Sequence, residues 1–497
     1  MNPTIWLVIL PLMAAFLLEF LNSTGFKIID EFLLGFSAAW LLLLGYLVVS
    51  LDELPRLYST GGWSASFAIN LLLDELSLIF ILINGLFFLL ILAYSSRYIE
   101  DSEETGDIFF VFLFISITSV NGLILTSDLF NLFVFFEIMA ISSYALVATS
   151  GSEFSTEAAF KYMVIGFISS LFLLAGIVMT YLLTGTLNMA GAAAQLQELP
   201  SHFSSFIFLF YFIPFAMKFT YIPFHFWLAD IYQGSNISYN VMSSALIINA
   251  NLFAFIRLSY SVFGLEILSF PIRPVLLTMA VLTVLLGHTL AYRQRNLKRL
   301  LAYSGVAQVG YIMLGTFLFT AEGLSGGLFH MVNNGLLKMG VFFIASIFFK
   351  ATRSQNILYL KGISFKFPVL GAIFTIFCLG LVGLPPFNAF ASKIVIIKAL
   401  VSEGLWPLAL TLPVGSFMAL TYYLKIIKII YSPGHRAEKS YPDWSLNFYL
   451  PMIAATAAMV ALLGLYPGSL YPHLLSAAEY ISEQGPLLLH NIIEVTG

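Results

Sequence analysis

The chain has 497 residues, 60% of them apolar and only 10% charged, with a net charge of −4. Water-soluble domains carry about 25% charged residues, so no soluble domain is expected, and without a basic excess nucleic acid is excluded as a partner. The single cysteine, Cys378, excludes disulfide frameworks and cysteine metal clusters.

Apolar runs recur from end to end, each long enough to cross a hydrocarbon core about 30 Å thick. In chain order the spans are expected over residues 4–22, 32–50, 72–94, 108–125, 129–149, 160–184, 204–230, 239–262, 272–292, 303–320, 325–349, 368–403, 405–431 and 447–467. The first, "MNPTIWLVILPLMAAFLLEF", lacks the basic start of a signal peptide and reads as a retained span. The expected fold is therefore all-α, a polytopic membrane protein of about fourteen helices.

Two spans are too long for one straight crossing, and both contain proline: 204–230 with Pro214 and Pro223, and 368–403 with Pro385 and Pro386. Proline removes a backbone donor. The freed backbone groups must be covered by protein or water, so two discontinuous helices inside the bundle are expected. Each is the fourth span of a five-span block. The reading is three N-terminal spans in 1–107, a first repeat over 108–262, a second over 272–431, and a C-terminal helix and tail over 432–497. Five is odd, so tandem repeats of this kind are inverted, an architecture of ion-coupled transporters.

Lysine and arginine in loops set the orientation. Fifteen fall on one side, among them Lys27, Arg97, the run "RQRNLKR" (293–299), Arg436 and Lys439, against Arg56, Arg257 and Arg273 on the other. The basic run reads as a cytoplasmic anchor, in the cell (inner) membrane.

Glu137, Lys218, Lys338, Lys393 and Lys398 remain inside spans, with His225, His288 and His330. A charge near the bilayer centre costs about 2.5–3.5 kcal/mol on insertion scales, so each needs a use. Glu137 lies about 13 Å into its span, too deep to reach water, and is read as functional rather than as a protonated core carboxyl. Lys218 lies at similar depth, and the two are expected to pair and form a switched proton relay. His330, Asn334 and Lys338 follow one helical face. They are read as a relay stripe rather than as helix-helix glue. Lys393 follows the second break and is read as the counterpart of Lys218, while Lys398 either joins it or snorkels to the interface. His225 and His288 are each open to a core role. No phosphate loop, HExxH, CxxC or dinucleotide fingerprint occurs. No cofactor or metal is expected, and energy must come from an ion gradient or another subunit.

The stretches "DLFNLFVFFEIMAISSYALVA" (128–148), "AAFKYMVIGFISS" (158–170), "KFTYIPFHFWLAD" (218–230), "RNLKRLLAYSGVAQVGYIMLG" (295–315), "HMVNNGLLKMGVFF" (330–343) and "GLPPFNAFASK" (383–393) resemble the proton-translocating antiporter-like family. That family includes the D-type subunit of Mrp cation/proton antiporters and homologous subunits of respiratory complex I and membrane-bound hydrogenases. "YLLTGTLNM" (181–189) leans toward the Mrp branch. The resemblance implies fourteen helices with inverted repeats, a Glu–Lys pair at Glu137 and Lys218, relay residues at His330 and Lys338, and an exit-side residue at Lys393. It implies other membrane subunits as partners and protons as a moved ion, with sodium left open as a second.

The chain also departs from the pattern. The central lysine position falls on Asn249, and "WLADIYQ" (227–233) stands where relatives have a Pro- and His-bearing segment. The first-half route is therefore interrupted, bridged by water, or adapted, with His288 as one compensating candidate. The leading expectation is an ion-translocating subunit of a Mrp-type sodium/proton antiporter. A redox-driven complex and a structural, non-pumping subunit are the alternatives.

Overall fold

The structure, a computed structural model, describes residues 3–24, 29–51, 54–63, 68–100, 106–264, 272–433 and 446–484. In chain order the helices are α1 (Trp6–Ser23), α2 (Ile29–Val49), α3 (Glu75–Glu100), α4 (Gly106–Leu125), α5 (Leu129–Ala148), α6 (Glu153–Thr184), α7 (Met189–Glu198), α8 (Ser201–Lys218) and α9 (Trp227–Gly234). Then come α10 (Ile237–Phe263), α11 (Ile272–Tyr292), α12 (Leu297–Thr316), α13 (Ala321–Thr352), α14 (Pro368–Val382), α15 (Asn388–Ser402), α16 (Trp406–Ile430), α17 (Leu446–Leu465) and α18 (Tyr471–Gln484). Eleven are long and apolar enough to cross a membrane. The expected fourteen crossings are reached with α12, which opens on Lys298 and Arg299, and with the two broken pairs α8/α9 and α14/α15.

Polar side chains set the helix ends. Asp128 caps α5 through the Asn131 amide, Ser152 caps α6, and Thr320 caps α13. Gly185 closes α6 in the left-handed region at φ 70°.

The first break differs in detail from the expectation. Pro214 stays inside α8, and the chain leaves the helix only after Lys218, around Pro223. The second break falls at Gly383, with φ 83°, just before Pro385 and Pro386. Lys218 thus closes the helix before its break, whereas Lys393 lies within the helix after its own. Measured from the breaks, the two lysines are not positional counterparts.

The core lies in α10, whose span is wholly buried, and in α13, whose span is nearly so. Helix α10 contains two π-helical turns, Ser243–Ile247 and Ser259–Phe263. Helix pairs pack in one repeated order: α4–α5, α5–α6 and α6–α8, then α11–α12, α12–α13 and α13–α15.

Other features were not expected. Arg56–Ser59 pairs antiparallel with Asn70–Leu73, a small ladder in a chain read as wholly helical. The expected tail contains α18, which packs on α13 and α3. Within the basic run, Lys298 is buried and donates to the Ser235 carbonyl at 2.6 Å. Arg299 meets Asp230 at 2.5 Å. These side chains pin α12 to the end of α9 as well as marking a side. Lys27, Arg436 and Lys439 lie outside the described residues.

Candidate functional site

In the first half, Glu137 is only half-buried on α5, and its Oε1 accepts a hydrogen bond from Ser170 Oγ of α6. The expected direct pair with Lys218 is not formed: Lys218 donates to the Tyr144 hydroxyl at 3.3 Å instead. Its ammonium sits 5.0, 5.4 and 5.3 Å from the ring centres of Phe136, Tyr144 and Tyr162, a cation held by aromatic faces. Tyr144 follows Glu137 by two turns of α5, so one helix presents both to Lys218. Gly166 makes the space. A Cβ there would strike the Tyr144 hydroxyl and lie 3.4 Å from Lys218 Nζ.

His225 lies half-buried in the first break, its ring centre 6.2 Å from that of Tyr303. Its buried Nδ1 has no hydrogen-bond partner among the described residues.

Asn249 is fully enclosed where α10 crosses α13. Its Nδ2 donates to the Ala245 carbonyl at 2.9 Å and reaches Met331 O at 3.4 Å. Asn251 does the same for Ile247 O at 2.8 Å. A π-helical turn displaces the regular ladder, and these two amides occupy carbonyls within it. A Cβ on Gly335 would lie 3.1 Å from Asn249 Nδ2, so the glycine lets the helices cross here. Among the described residues, Asn249 Oδ1 and Asn334 Oδ1 are buried without a hydrogen-bond partner. Asn334 also lines a small cavity with Tyr232, Ser244, Gly305 and Lys338.

The second half is a denser polar core. Lys338 Nζ donates to Leu301 O at 2.6 Å and to Ser304 Oγ. His330 bonds Ser392 Oγ through Nδ1 at 2.9 Å and Gln308 Oε1 through Nε2 at 2.8 Å. His288 bonds the Tyr422 hydroxyl through Nδ1 at 3.0 Å and the Tyr311 hydroxyl through Nε2 at 2.9 Å. Lys393 donates to Val382 O and to Ser416 Oγ, both at 2.9 Å, and lies 4.3 Å over the Tyr311 ring. Gln308 Nε2 donates to Leu381 O at 3.1 Å. The carbonyls freed by the second break are thus satisfied by the polar core itself, as a low-dielectric setting requires. Lys398 points outward and is exposed.

The structure therefore joins His288, His330, Lys338 and Lys393 around α12. It sets Glu137, held by Ser170, and Lys218, held by Tyr144, in the same region of α5 and α6, and places Asn249 on α10 against α13. Sequence reasoning missed Ser304, Gln308 and Tyr311, although their i, i+4, i+7 spacing on α12 was a readable signal. It also missed Tyr422 and Tyr423, and the pairing of Arg257, a residue expected at the outer end of its span. Arg257 is buried in α10, and its guanidinium holds Asp74 in a two-pronged pair at 2.5 and 2.8 Å. Burial alone would push the Asp74 carboxyl up, but Arg257 and the bonds from Ser77 hold it below its ordinary value.

Residues 126–419 match the family model described as "NADH:quinone oxidoreductase/Mrp antiporter, TM". The chain is 32% identical over 474 residues to the NADH-quinone oxidoreductase subunit N of Desulforudis audaxviator, covering 93% of this chain and 94% of the relative. It is 28% identical to the D-type Na(+)/H(+) antiporter subunit of Alkalihalophilus pseudofirmus, covering 96% and 97%. Its fold superposes on a chain of the membrane-bound sulfane sulfur reductase, an archaeal respiratory membrane complex, with TM-score 0.90, 30% identity and 99% of each chain covered. A family match over more than half of the chain, with near-complete coverage of its relatives, makes this protein a member of the NADH:quinone oxidoreductase/Mrp antiporter membrane family.

Proposed function

We propose that this chain is an ion-translocating subunit of a multisubunit membrane complex and that it moves protons. In the leading setting it occupies the D-type place of a Mrp-type sodium/proton antiporter. One observation carries the reading. Lys218, Lys338 and Lys393 are at most 3% exposed, and the polar partners recorded for each are hydroxyls and backbone carbonyls rather than carboxylates. A lysine kept in such surroundings is costly as a permanent cation. Groups poised between the charged and neutral forms suit proton relay.

The proposed route runs from Glu137 to Lys218, past Asn249, to Lys338 and Lys393, with His225, His288 and His330 beside it. Asn249 cannot carry a proton. The cavity of Tyr232, Ser244, Asn334 and Lys338, with space for about one water, supports a water contact to Lys338 on its α10 side. Tyr232 belongs to the segment that departs from the family pattern, and its hydroxyl reaches Ser243 Oγ at 3.4 Å. The repeated packing order supports division into 1–107, 108–262, 272–431 and 432–497, with the two central blocks as inverted repeats.

A second reading places the chain in a redox-driven complex. The NADH-quinone oxidoreductase relative and the sulfane sulfur reductase fold favour it. Gentle purification of the native complex and mass spectrometry of its subunits decides between the two settings. Small membrane partners alone, with sodium-dependent proton flux in vesicles, support the antiporter; iron–sulfur or nickel-site subunits support the redox-driven pump. Unchanged flux in Lys338→Met would instead identify a non-pumping subunit.

A further inference from the structure

We infer that the basic ends of α11, α12, α13 and α16 form a docking surface for the headgroups of anionic phospholipids. The surface lies apart from the proposed proton route, and the inference does not depend on which ion the chain moves.

Two connections and one helix end meet there. Residues 293–296 join α11 to α12, and residues 353–367 join α13 to α14. The Leu297 amide donates to Gln355 O and the Ile357 amide to Arg295 O, both at 2.9 Å. Asn296 Nδ2 adds a bond to Gln355 Oε1 at 3.0 Å. The second connection in turn meets the end of α16, where the Gly362 amide donates to Ile429 O at 3.3 Å. These bonds build one platform, and Arg293, Arg295, Arg353, Lys361, Lys425 and Lys428 stand exposed on it.

The charge of the platform is not balanced within the chain. Elsewhere on the side expected to be cytoplasmic, basic residues meet acids: Arg97 faces Asp30 at 3.8 Å, Lys161 meets Glu157 at 2.7 Å and Arg299 meets Asp230 at 2.5 Å. Among the described residues, none of the six platform cations has a carboxylate partner. Residues 290–300, 351–369 and 405–430 contain no Asp or Glu at all. Lysine and arginine gathered at helix ends attract anionic lipid, each adding to the attraction, and the arginine fork fits a phosphate with two bonds.

The apolar side chains beside the charges favour a lipid over a soluble anion. Within the second connection Ile357, Leu360 and Ile363 are buried, whereas Leu358, Tyr359 and Phe365 are not. Tyr359 and Phe365 remain 68% and 67% exposed. Tyr292, at the end of α11, is exposed as well, with Lys425 Nζ 6.0 Å from its ring centre. Aromatic rings and cations at helix ends mark the headgroup level of a bilayer. A free phosphate would use the charges alone. A phospholipid uses both, with its phosphate on the cations and its acyl chains against Leu358 and Phe365. Such a headgroup layer would tie together the ends of α11, α12 and α16, the helices that carry His288, Tyr311 and Tyr422.

The test uses the purified complex in detergent, freed of native lipid, and reads its thermal unfolding midpoint. Phosphatidylglycerol, phosphatidylcholine and inorganic phosphate are added in separate titrations. A ligand of the folded state stabilises it as its sites fill, so phosphatidylglycerol should raise the midpoint well above phosphatidylcholine. The variants are the double changes Arg293→Gln with Arg295→Gln and Lys425→Gln with Lys428→Gln. Lys398→Gln, an exposed lysine away from the platform, is the control. In each double variant the phosphatidylglycerol concentration giving half the shift should rise about 30-fold, the scale of removing two charges from an anionic lipid surface. Lys398→Gln should respond like the parent. A parental response in both double variants would overturn the inference, as would an equal shift with phosphatidylcholine. An equal shift with inorganic phosphate, lost in the same variants, would identify a soluble-anion site and overturn lipid docking. No response in the parent, with Lys425 and Lys428 shielded from acetylation, would show another subunit covering the platform and would overturn it too. The readout is binding rather than flux, so each of these results leaves the proposed function untouched.

Discussion

Lys393 donates to the carbonyl of Val382 at 2.9 Å, so this lysine caps the backbone that the break before its own helix sets free. The residue therefore has two roles that a mutation can separate. Lys393→Gln retains a donor within the break and should keep the complex assembled while abolishing flux. Lys393→Met leaves the Val382 carbonyl without this donor and should also destabilise the protein, by about 1–3 kcal/mol. Thermal unfolding of the two purified variants, read beside their flux, checks the separation.

Gly383 and Gly415 hold space for the same core. A Cβ on Gly415 would run into the Tyr311 hydroxyl, and one on Gly383 would lie 2.9 Å from Lys393 Nζ. Gly383 also sits at φ 83°, where a side chain is strained. Gly415→Ala should displace Tyr311 and lower flux with the complex still assembled, whereas Gly383→Ala should reduce both assembly and flux. Native gels of membranes carrying each variant, with flux from the same preparation, distinguish these outcomes.

Gly166 plays the matching part in the first half, where Tyr144 and Lys218 approach α6. Gly166→Ala should push the Tyr144 hydroxyl away from Lys218 and so remove a hydrogen bond that seats this lysine near Glu137. Flux should fall toward that of Glu137→Gln, and adding the second change to the first should cost little more. Additive losses in the double variant would show that the two sites act independently.

The Asp74–Arg257 pair is structural. Both side chains are nearly fully buried, and removing one partner of such a pair costs about 3–5 kcal/mol. Asp74→Asn should therefore impair assembly without a specific effect on ion movement. The Asp74 carboxyl titrates below its unfolded value. Its stabilisation is fully present above the unfolded value, near 3.9, and is lost as pH falls through the lower folded one. Acid unfolding of the wild type should show this loss, and Asp74→Asn should not.

The sequence revealed the broken helices through their prolines, but not where they break. Pro214 remains inside α8 because a helix packed in a membrane bundle tolerates a missing donor when neighbours cover it. The buried lysines were legible because a charge stands out in an apolar span. Their partners were not. Glu137 and Lys218 looked like an ion pair at matching depth, yet aromatic rings and the Tyr144 hydroxyl take that place. Tyr422 and Tyr423 carry no signal of their own in the sequence, and only the fold sets them beside His288 and Ser304. The bond between Asp74 and Arg257 spans 183 residues, with no local pattern to announce it. The π-helical turn before Asn249 lies where Gly335 packs against Asn249 and the Ala245 carbonyl, a tertiary contact with no local sequence pattern to announce it.

The most direct test of the account is proton flux through vesicles containing the purified complex with Lys338→Met. Methionine is close to the lysine stem in length and cannot hold a proton, so the complex should assemble. The account predicts that flux through this chain is lost. Assembly with undiminished flux would contradict it, since protons would then cross without the group that links the two halves.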